Sequence, residues 1–180
     1  SKQVAVVVPA YNEERLIEKT LSTIPDFVDK IYLVDDKSSD QTLAKAKSVK
    51  DPRINVISHT TNQGVGAAII TGYKQALIEG IVATAVMAGD AQMDPDELET
   101  TLSPIITGNA NYVKGNRLLD KAALKRFPPL RFFGNAVLPL LTKFASGYWQ
   151  IMDPQNGYTA ISHRALNTLD LDRIYNNYGY

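Results

Sequence analysis

Four apolar runs, each closed by a polar loop and followed by a helix-like pattern, precede a fifth run, and this alternation restricts the fold more than any other feature. Val4–Val8, Ile31–Val34, Arg53–Ile57, Val82–Met87 and Tyr112–Lys114 read as short strands. Between them come segments with 3.6-residue periodicity. Asn12 is expected to cap a helix with Glu13 and Glu14 in its first turn and a core stripe of Leu16, Ile17, Thr20, Leu21 and Ile24. Asp40 or Ser39 is expected to cap a second helix over Gln41–Val49. Gly64 and Gly66 open a third, with Ala68, Ile69, Tyr73, Ala76 and Leu77 on one face, and Pro95 starts a fourth that runs through Leu98 towards Leu102. Strand–helix alternation with short loops predicts an α/β fold, a mostly parallel sheet with helices on both faces.

In such a sheet all parallel strands end on one edge, and ligands lie beyond those ends. The unusual polar residues of this chain fall there: Pro9–Glu13, Asp35–Asp36, Ala88–Asp94 and Gly115–Arg117. Four polar loops on one edge suit an enzyme. Composition removes several other classes. With 19 Lys+Arg against 19 Asp+Glu, no general attraction to nucleic acid is expected. With no Cys there is no disulfide framework, zinc-thiolate site or cysteine nucleophile. The two His residues, His59 and His163, are far apart in sequence and read as structural or surface groups. No signal peptide is visible, and no run approaches the roughly 18 uncharged apolar residues of a membrane span. Both ends are expected to be cut from a longer chain.

The acidic loops carry the chemistry. Asp35 and Asp36 end a strand, where they either build a turn with Ser38, Ser39 and Asp40 or offer a carboxylate to a nucleotide's base or ribose. Asp90 and Gln92 lie two residues apart, so in an extended segment both side chains point to one side. Two oxygen ligands on a tight loop suit Mg²⁺ or Mn²⁺, which complete their shells with water and substrate phosphates. Such an ion neutralises charge on a departing diphosphate. The alternative for Asp94-Pro95 is a plain helix cap followed by a first-turn proline.

The order of these pieces is more telling than any one of them. Pro9-Ala-Tyr-Asn-Glu13, Val34-Asp-Asp36 with Ser39-Asp40-x-Thr42, Asn62-x-Gly64, Gly89-Asp90-x-Gln92-x-Asp94-Pro95 and Gly115-Asn-Arg117 follow one another along the chain. Together they resemble the family 2 inverting glycosyltransferases, within them the polyprenyl-phosphate (dolichyl-phosphate) mannose or glucose synthases. The resemblance runs from about Val4 to Tyr158. It implies a GT-A (Rossmann-like) fold, and a single catalytic domain over residues 1–180, cut at its C-terminal end. It also implies a UDP- or GDP-hexose donor, a divalent cation, a polyprenyl phosphate acceptor and work at the cytoplasmic face of a membrane. Carried over by position, Pro9, Tyr11, Glu13 and Asp36 contact base and ribose, Asp90 is the second acid of the Asp-x-Asp motif that binds donor and metal, and Gln92 follows it as a metal ligand. Arg117 and Arg131 match arginines that hold phosphates, and Asp153, in Asp153-Pro-Gln-Asn-Gly157, lies in the acceptor-side segment. Asp90, Arg117, Arg131 and Asp153 are thus the catalytic candidates. The chain also departs from the pattern. Ala88 stands where the first acid of Asp-x-Asp belongs, Val65 where the family commonly has Lys, and the Gln-x-x-Arg-Trp motif of processive synthases does not occur.

Charge bears on the acceptor. A sugar hydroxyl needs a base to take its proton, whereas a lipid phosphate is already ionised and needs cationic clamps. Lys121, Lys125 and Arg126, with Arg117 and Arg131, interleave with Phe127, Phe132, Phe133 and Trp149, which reads as a basic, greasy approach to a membrane-surface anion or as a solvated helix face over a core. Two other functions stay open. One is the same fold acting on a glycan or small-molecule hydroxyl. The other is a non-catalytic nucleotide-binding module, suggested by Ala88 and Val65. Asn62-Gln-Gly-Val-Gly-Ala-Ala68 only loosely imitates a dinucleotide-binding glycine fingerprint, and it follows the third strand.

Overall fold

The computed structural model describes residues 3–89, 97–114 and 159–173. The chain divides into two compact units, one of residues 1–113 and 158–180 and the other of 114–157. The described elements belong to the first, save that its fifth strand ends on Lys114 of the second.

Among the described residues the strands are β1 (Val4–Ala10), β2 (Lys30–Asp35), β3 (Ile54–Ser58), β4 (Ala83–Val86), β5 (Tyr112–Lys114) and β6 (Thr159–Ser162). The helices are α1 (Ile17–Ser22), α2 (Thr42–Ser48), α3 (Val65–Ile78), α4 (Glu97–Ile106) and α5 (His163–Leu166). The sheet order is β3-β2-β1-β4-β6-β5. β1 pairs in parallel with β2 and β4, β2 in parallel with β3, and β6 runs antiparallel to β4. The sheet is therefore mostly parallel, as expected. The strand at Thr159–Ser162 was not foreseen.

Burial of β1 on both faces explains its unbroken apolar sequence, every residue of which is buried. Side chains alternate across it. Val4, Val6 and Val8 pack with Ile17 and Leu21 of α1, Ala46 of α2 and Leu98, Leu102 and Ile105 of α4. Ala5 and Val7 face the other way, onto Ala68, Ile69 and Ala76 of α3. Helices thus cover both faces. Each fully buried Val, Leu or Ile contributes about 1.5–3 kcal/mol relative to exposure.

α3 can lie this close to β1 only because Gly72 has no side chain: a Cβ there would fall 2.6 Å from Val7 Cγ2. Gly72→Ala is expected to lower unfolding free energy by about 1–3 kcal/mol through overpacking, despite alanine's better helix propensity. Urea denaturation measures this, and the Gly72→Ala/Val7→Ala double variant should recover part of the loss. Strictly additive losses would contradict the close-packing explanation.

Arg53 ties the α1–β2 connection to the start of β3. Its guanidinium donates to the carbonyls of Ile24, Pro25 and Val28 and to the Asp51 carboxylate. The Arg53 bond holds the Asp51 carboxyl below its ordinary range, against partial burial that pushes it up. A carboxyl lowered by folding stabilises the fold above its unfolded pKa and loses that contribution as pH falls through the folded value. The urea midpoint should therefore fall less between about pH 6 and pH 3 in Asp51→Asn than in the parent chain. Equal falls would assign acid sensitivity to other groups.

Candidate functional site

From β1 the chain steps outward through β2 to β3, then returns to place β4 on the other side of β1. That reversal opens a crevice beyond the carboxyl ends of β1 and β4, the usual ligand position in such sheets. A cavity of about 530 Å³ lies here, lined by Pro9, Ala10, Tyr11, Glu13, Asp36, Asn62, Gly64, Val65, Ala68, Ala88 and Gly89. The volume suits a small-molecule ligand. The ladder geometry helps form the opening. The β1–β4 register ends at Val7 opposite Val86, and beyond it Pro9 can donate no backbone hydrogen bond. The β4 loop stays attached through Gly89 N–H, which donates to Pro9 O at 3.3 Å, and through Gly89 O, which accepts from the buried Thr20 hydroxyl at 3.0 Å.

The loops after β1 and β2 are laced to each other. Asn12 N–H donates to Ser38 Oγ, Glu13 N–H to Thr42 Oγ1, and Ser39 N–H to Asn12 Oδ1. Asn12 and Lys37 both take left-handed backbone angles, with φ of 55° and 62°. Asn12 therefore does not cap α1 as expected. The left-handed backbone and the bond to Ser39 occupy it, a turn covers Glu13 to Leu16, and α1 begins at Ile17. Asp40 does meet the start of α2, its Oδ1 accepting from Thr42 N–H at 2.9 Å. Partial burial pushes the Asp40 carboxyl up, but bonds from the Thr42 hydroxyl and backbone outweigh it and hold the carboxyl below its ordinary value.

The paired acids divide their work. Asp35 Oδ2 accepts from Ser38 N–H at 3.4 Å and Ser58 Oγ at 3.2 Å, so Asp35 takes the turn-building reading. Asp36 lines the cavity. Its Oδ1 accepts from His59 Nδ1 at 2.7 Å and Gln63 N–H at 2.9 Å, and its Oδ2 from Gly64 N–H at 2.7 Å. Exposure of the two side chains is 8% for His59 and 4% for Asp36. Tyr11, at the mouth, is 49% exposed and presents an aromatic surface.

Of the residues singled out from sequence, Pro9, Tyr11, Glu13 and Asp36 thus meet in one cavity. Val65 and Ala88, two of the departures from the family pattern, line the same cavity and give it apolar wall where charges were expected. Asp90, Gln92, Arg117, Arg131 and Asp153 lie outside the described residues. Among the described residues no group of three or more His, Cys, Asp or Glu could hold a metal ion, and no helix is long and apolar enough to cross a membrane. Sequence reasoning missed two contributors. Thr20 is buried in the core stripe as expected, but the bond of its hydroxyl to the β4 loop was not anticipated, although a hydroxyl in such a stripe signals a buried hydrogen bond. His59 follows β3 on the carboxyl edge, a position that could have marked it.

Comparison with known proteins bears on the family and the fold. The family model described as "Glycosyl transferase family 2" matches residues 5–170. UDP-N-acetylglucosamine–dolichyl-phosphate N-acetylglucosaminyltransferase of Methanococcus voltae is 31% identical, over 93% of this chain and 72% of its own length. Undecaprenyl-phosphate mannosyltransferase of Micrococcus luteus is 29% identical, over 96% of this chain and 71% of its own. The solved structure of glucosyl-3-phosphoglycerate synthase from Mycobacterium tuberculosis, in complex with Mn²⁺, UDP and phosphoglyceric acid, matches with a TM-score of 0.69 at 22% identity. The alignment covers 94% of this chain and 58% of that one, and at this identity it speaks for the GT-A fold alone.

Proposed function

The chain belongs to glycosyl transferase family 2, and on that premise we propose that it moves a hexose from a UDP- or GDP-sugar to a polyprenyl phosphate at the cytoplasmic face of a membrane, with inversion. The observation that carries the reading is the cavity at the β1/β4 switch point, where Pro9, Tyr11, Glu13 and the anchored Asp36 carboxylate converge. An exposed aromatic beside a fixed acceptor suits a nucleotide base, which offers a stacking face and an N–H edge. Relatives named for dolichyl and undecaprenyl phosphate support the acceptor class.

In this reading an oxygen of the acceptor phosphate attacks the anomeric carbon. A new C–O bond forms as the bond to the nucleoside diphosphate breaks, and the diphosphate leaves on the opposite side. Arg117 and Arg131 hold the phosphate groups in line, and Asp153 positions Arg131 or, for a hydroxyl acceptor, takes its proton. A Mg²⁺ or Mn²⁺ held by Asp90 and Gln92 would supply charge neutralisation at the departing diphosphate. Residues 1–180 would serve as one catalytic domain.

The test incubates the chain with labelled UDP- and GDP-hexoses, Mn²⁺, and either a short prenyl phosphate or free sugars. Label should enter the prenyl fraction, and EDTA should abolish transfer. Transfer only to free sugars would replace the acceptor class. The uncharged Val65 and Ala88 in the cavity wall favour one competing reading, a nucleotide-binding module without turnover. It predicts binding that ignores metal and no transfer to either acceptor.

A further inference from the structure

We infer that His59 determines the base specificity of the donor cavity: by occupying one oxygen of Asp36 it leaves that carboxylate a single acceptor position, which selects uracil over guanine. The inference rests on the proposal that this cavity takes a nucleotide.

A carboxylate offers about four acceptor positions, two on each oxygen. Among the described residues three donors reach Asp36: His59 Nδ1 and Gln63 N–H on Oδ1, and Gly64 N–H on Oδ2. Oδ1 is full, and one position remains on Oδ2. A carboxylate only accepts, so Nδ1 of His59 carries the hydrogen of this bond. The imidazole cannot easily turn away, because its Nε2 lies 2.9 Å from Thr71 Oγ1, a hydroxyl that is itself 2.9 Å from the Ala67 carbonyl on α3. His59 is thus braced between the end of β2 and α3, and Asp36, whose carboxylate it holds, is one of the residues that line the cavity.

The pyrimidine and purine edges differ in what they ask of such a carboxylate. Uracil presents one N–H, at N3, between two carbonyl oxygens, and one acceptor satisfies it. Guanine presents two adjacent donors, N1–H and the N2 amino group, which pair with a carboxylate through one position on each oxygen. To take guanine that way, Oδ1 would have to give up the Gln63 N–H or the imidazole of His59, whose side chain is 8% exposed, and losing a hydrogen bond to a charged group is costly. Cytosine turns a lone pair, not a hydrogen, towards the carboxylate.

The test is calorimetric titration of the unaltered chain, in Mn²⁺, with UDP, with UDP methylated at N3, and with GDP. The expected result is that N3 methylation and the change to GDP each weaken binding by about ten-fold or more, the scale of one hydrogen bond to a charged group. GDP binding as tightly as UDP, or N3-methyl-UDP binding as tightly, would overturn the inference and leave the nucleotide cavity standing. No binding of any of the three would overturn the cavity reading itself. His59→Ala adds a readout that a merely structural role would not move. Freeing one position on Oδ1 should narrow the ratio of UDP to GDP affinity, whereas loosening of the fold would lower both affinities together and leave the ratio intact.

Discussion

Asp36→Ala is expected to remove measurable nucleoside diphosphate binding and to destabilise the fold by about 3–5 kcal/mol, the cost of deleting one partner from a buried charged network. The reason lies in what the carboxylate holds. It gathers His59 Nδ1 and the backbone N–H groups of Gln63 and Gly64, which join the end of β2 to the loop before α3. Removing it leaves three donors in part-buried positions facing a methyl group. The same loop carries Asn62, Gly64 and Val65 into the cavity wall, so lost stability and lost binding share one cause. Asp36→Asn should be milder in stability, since Oδ1 survives, while its amide would face the Gly64 N–H donor to donor. Chemical denaturation and calorimetry on the same preparations measure both effects. An Asp36→Ala chain with an unchanged midpoint and nucleotide affinity within a few-fold would refute the anchoring role.

The second large effect is expected at Asp90, which lies outside the described residues. Asp90→Asn keeps side-chain shape and removes a charge, and transfer should fall by about 10²-fold or more as a proposed ligand to the cation is weakened. This chain has little to fall back on. Position 88, where the family pattern has the first acid of Asp-x-Asp, carries Ala, so of the proposed ligands Asp90 and Gln92 only one is charged. The loss should be partly recovered at high Mn²⁺, and Ala88→Asp should lower the Mn²⁺ concentration needed by the parent chain. Steady-state transfer against Mn²⁺ concentration reads all three. Turnover of Asp90→Asn equal to the parent at every Mn²⁺ concentration would remove Asp90 from the site.

Much of this was legible in sequence, for identifiable reasons. A parallel strand buried on both faces must be almost wholly apolar, so β1 and β2 stand out, and helices that cover them carry 3.6-residue stripes such as Ile17, Thr20 and Leu21. Because parallel strands end on one edge, Pro9, Tyr11, Glu13 and Asp36 could be grouped before any coordinates. What escaped depends on contacts distant in sequence. β6 is four residues long and antiparallel to β4, and nothing in Thr-Ala-Ile-Ser alone tells it from a loop. Asn12 has cap chemistry, yet Ser38 and Ser39, 26 and 27 residues away, decide its conformation. His59 reads from sequence as a structural or surface group; its partner Asp36 sits on another strand end, so its link to the cavity came only with the fold.

The most direct test of the account is a crystal structure of the chain grown with Mn²⁺ and the nucleoside diphosphate that binds it. The account predicts the base in the cavity beyond β1 and β4, beside Tyr11, with a ring N–H within hydrogen-bond distance of Asp36 Oδ2. A nucleotide bound elsewhere on the chain, with this cavity empty, would contradict it.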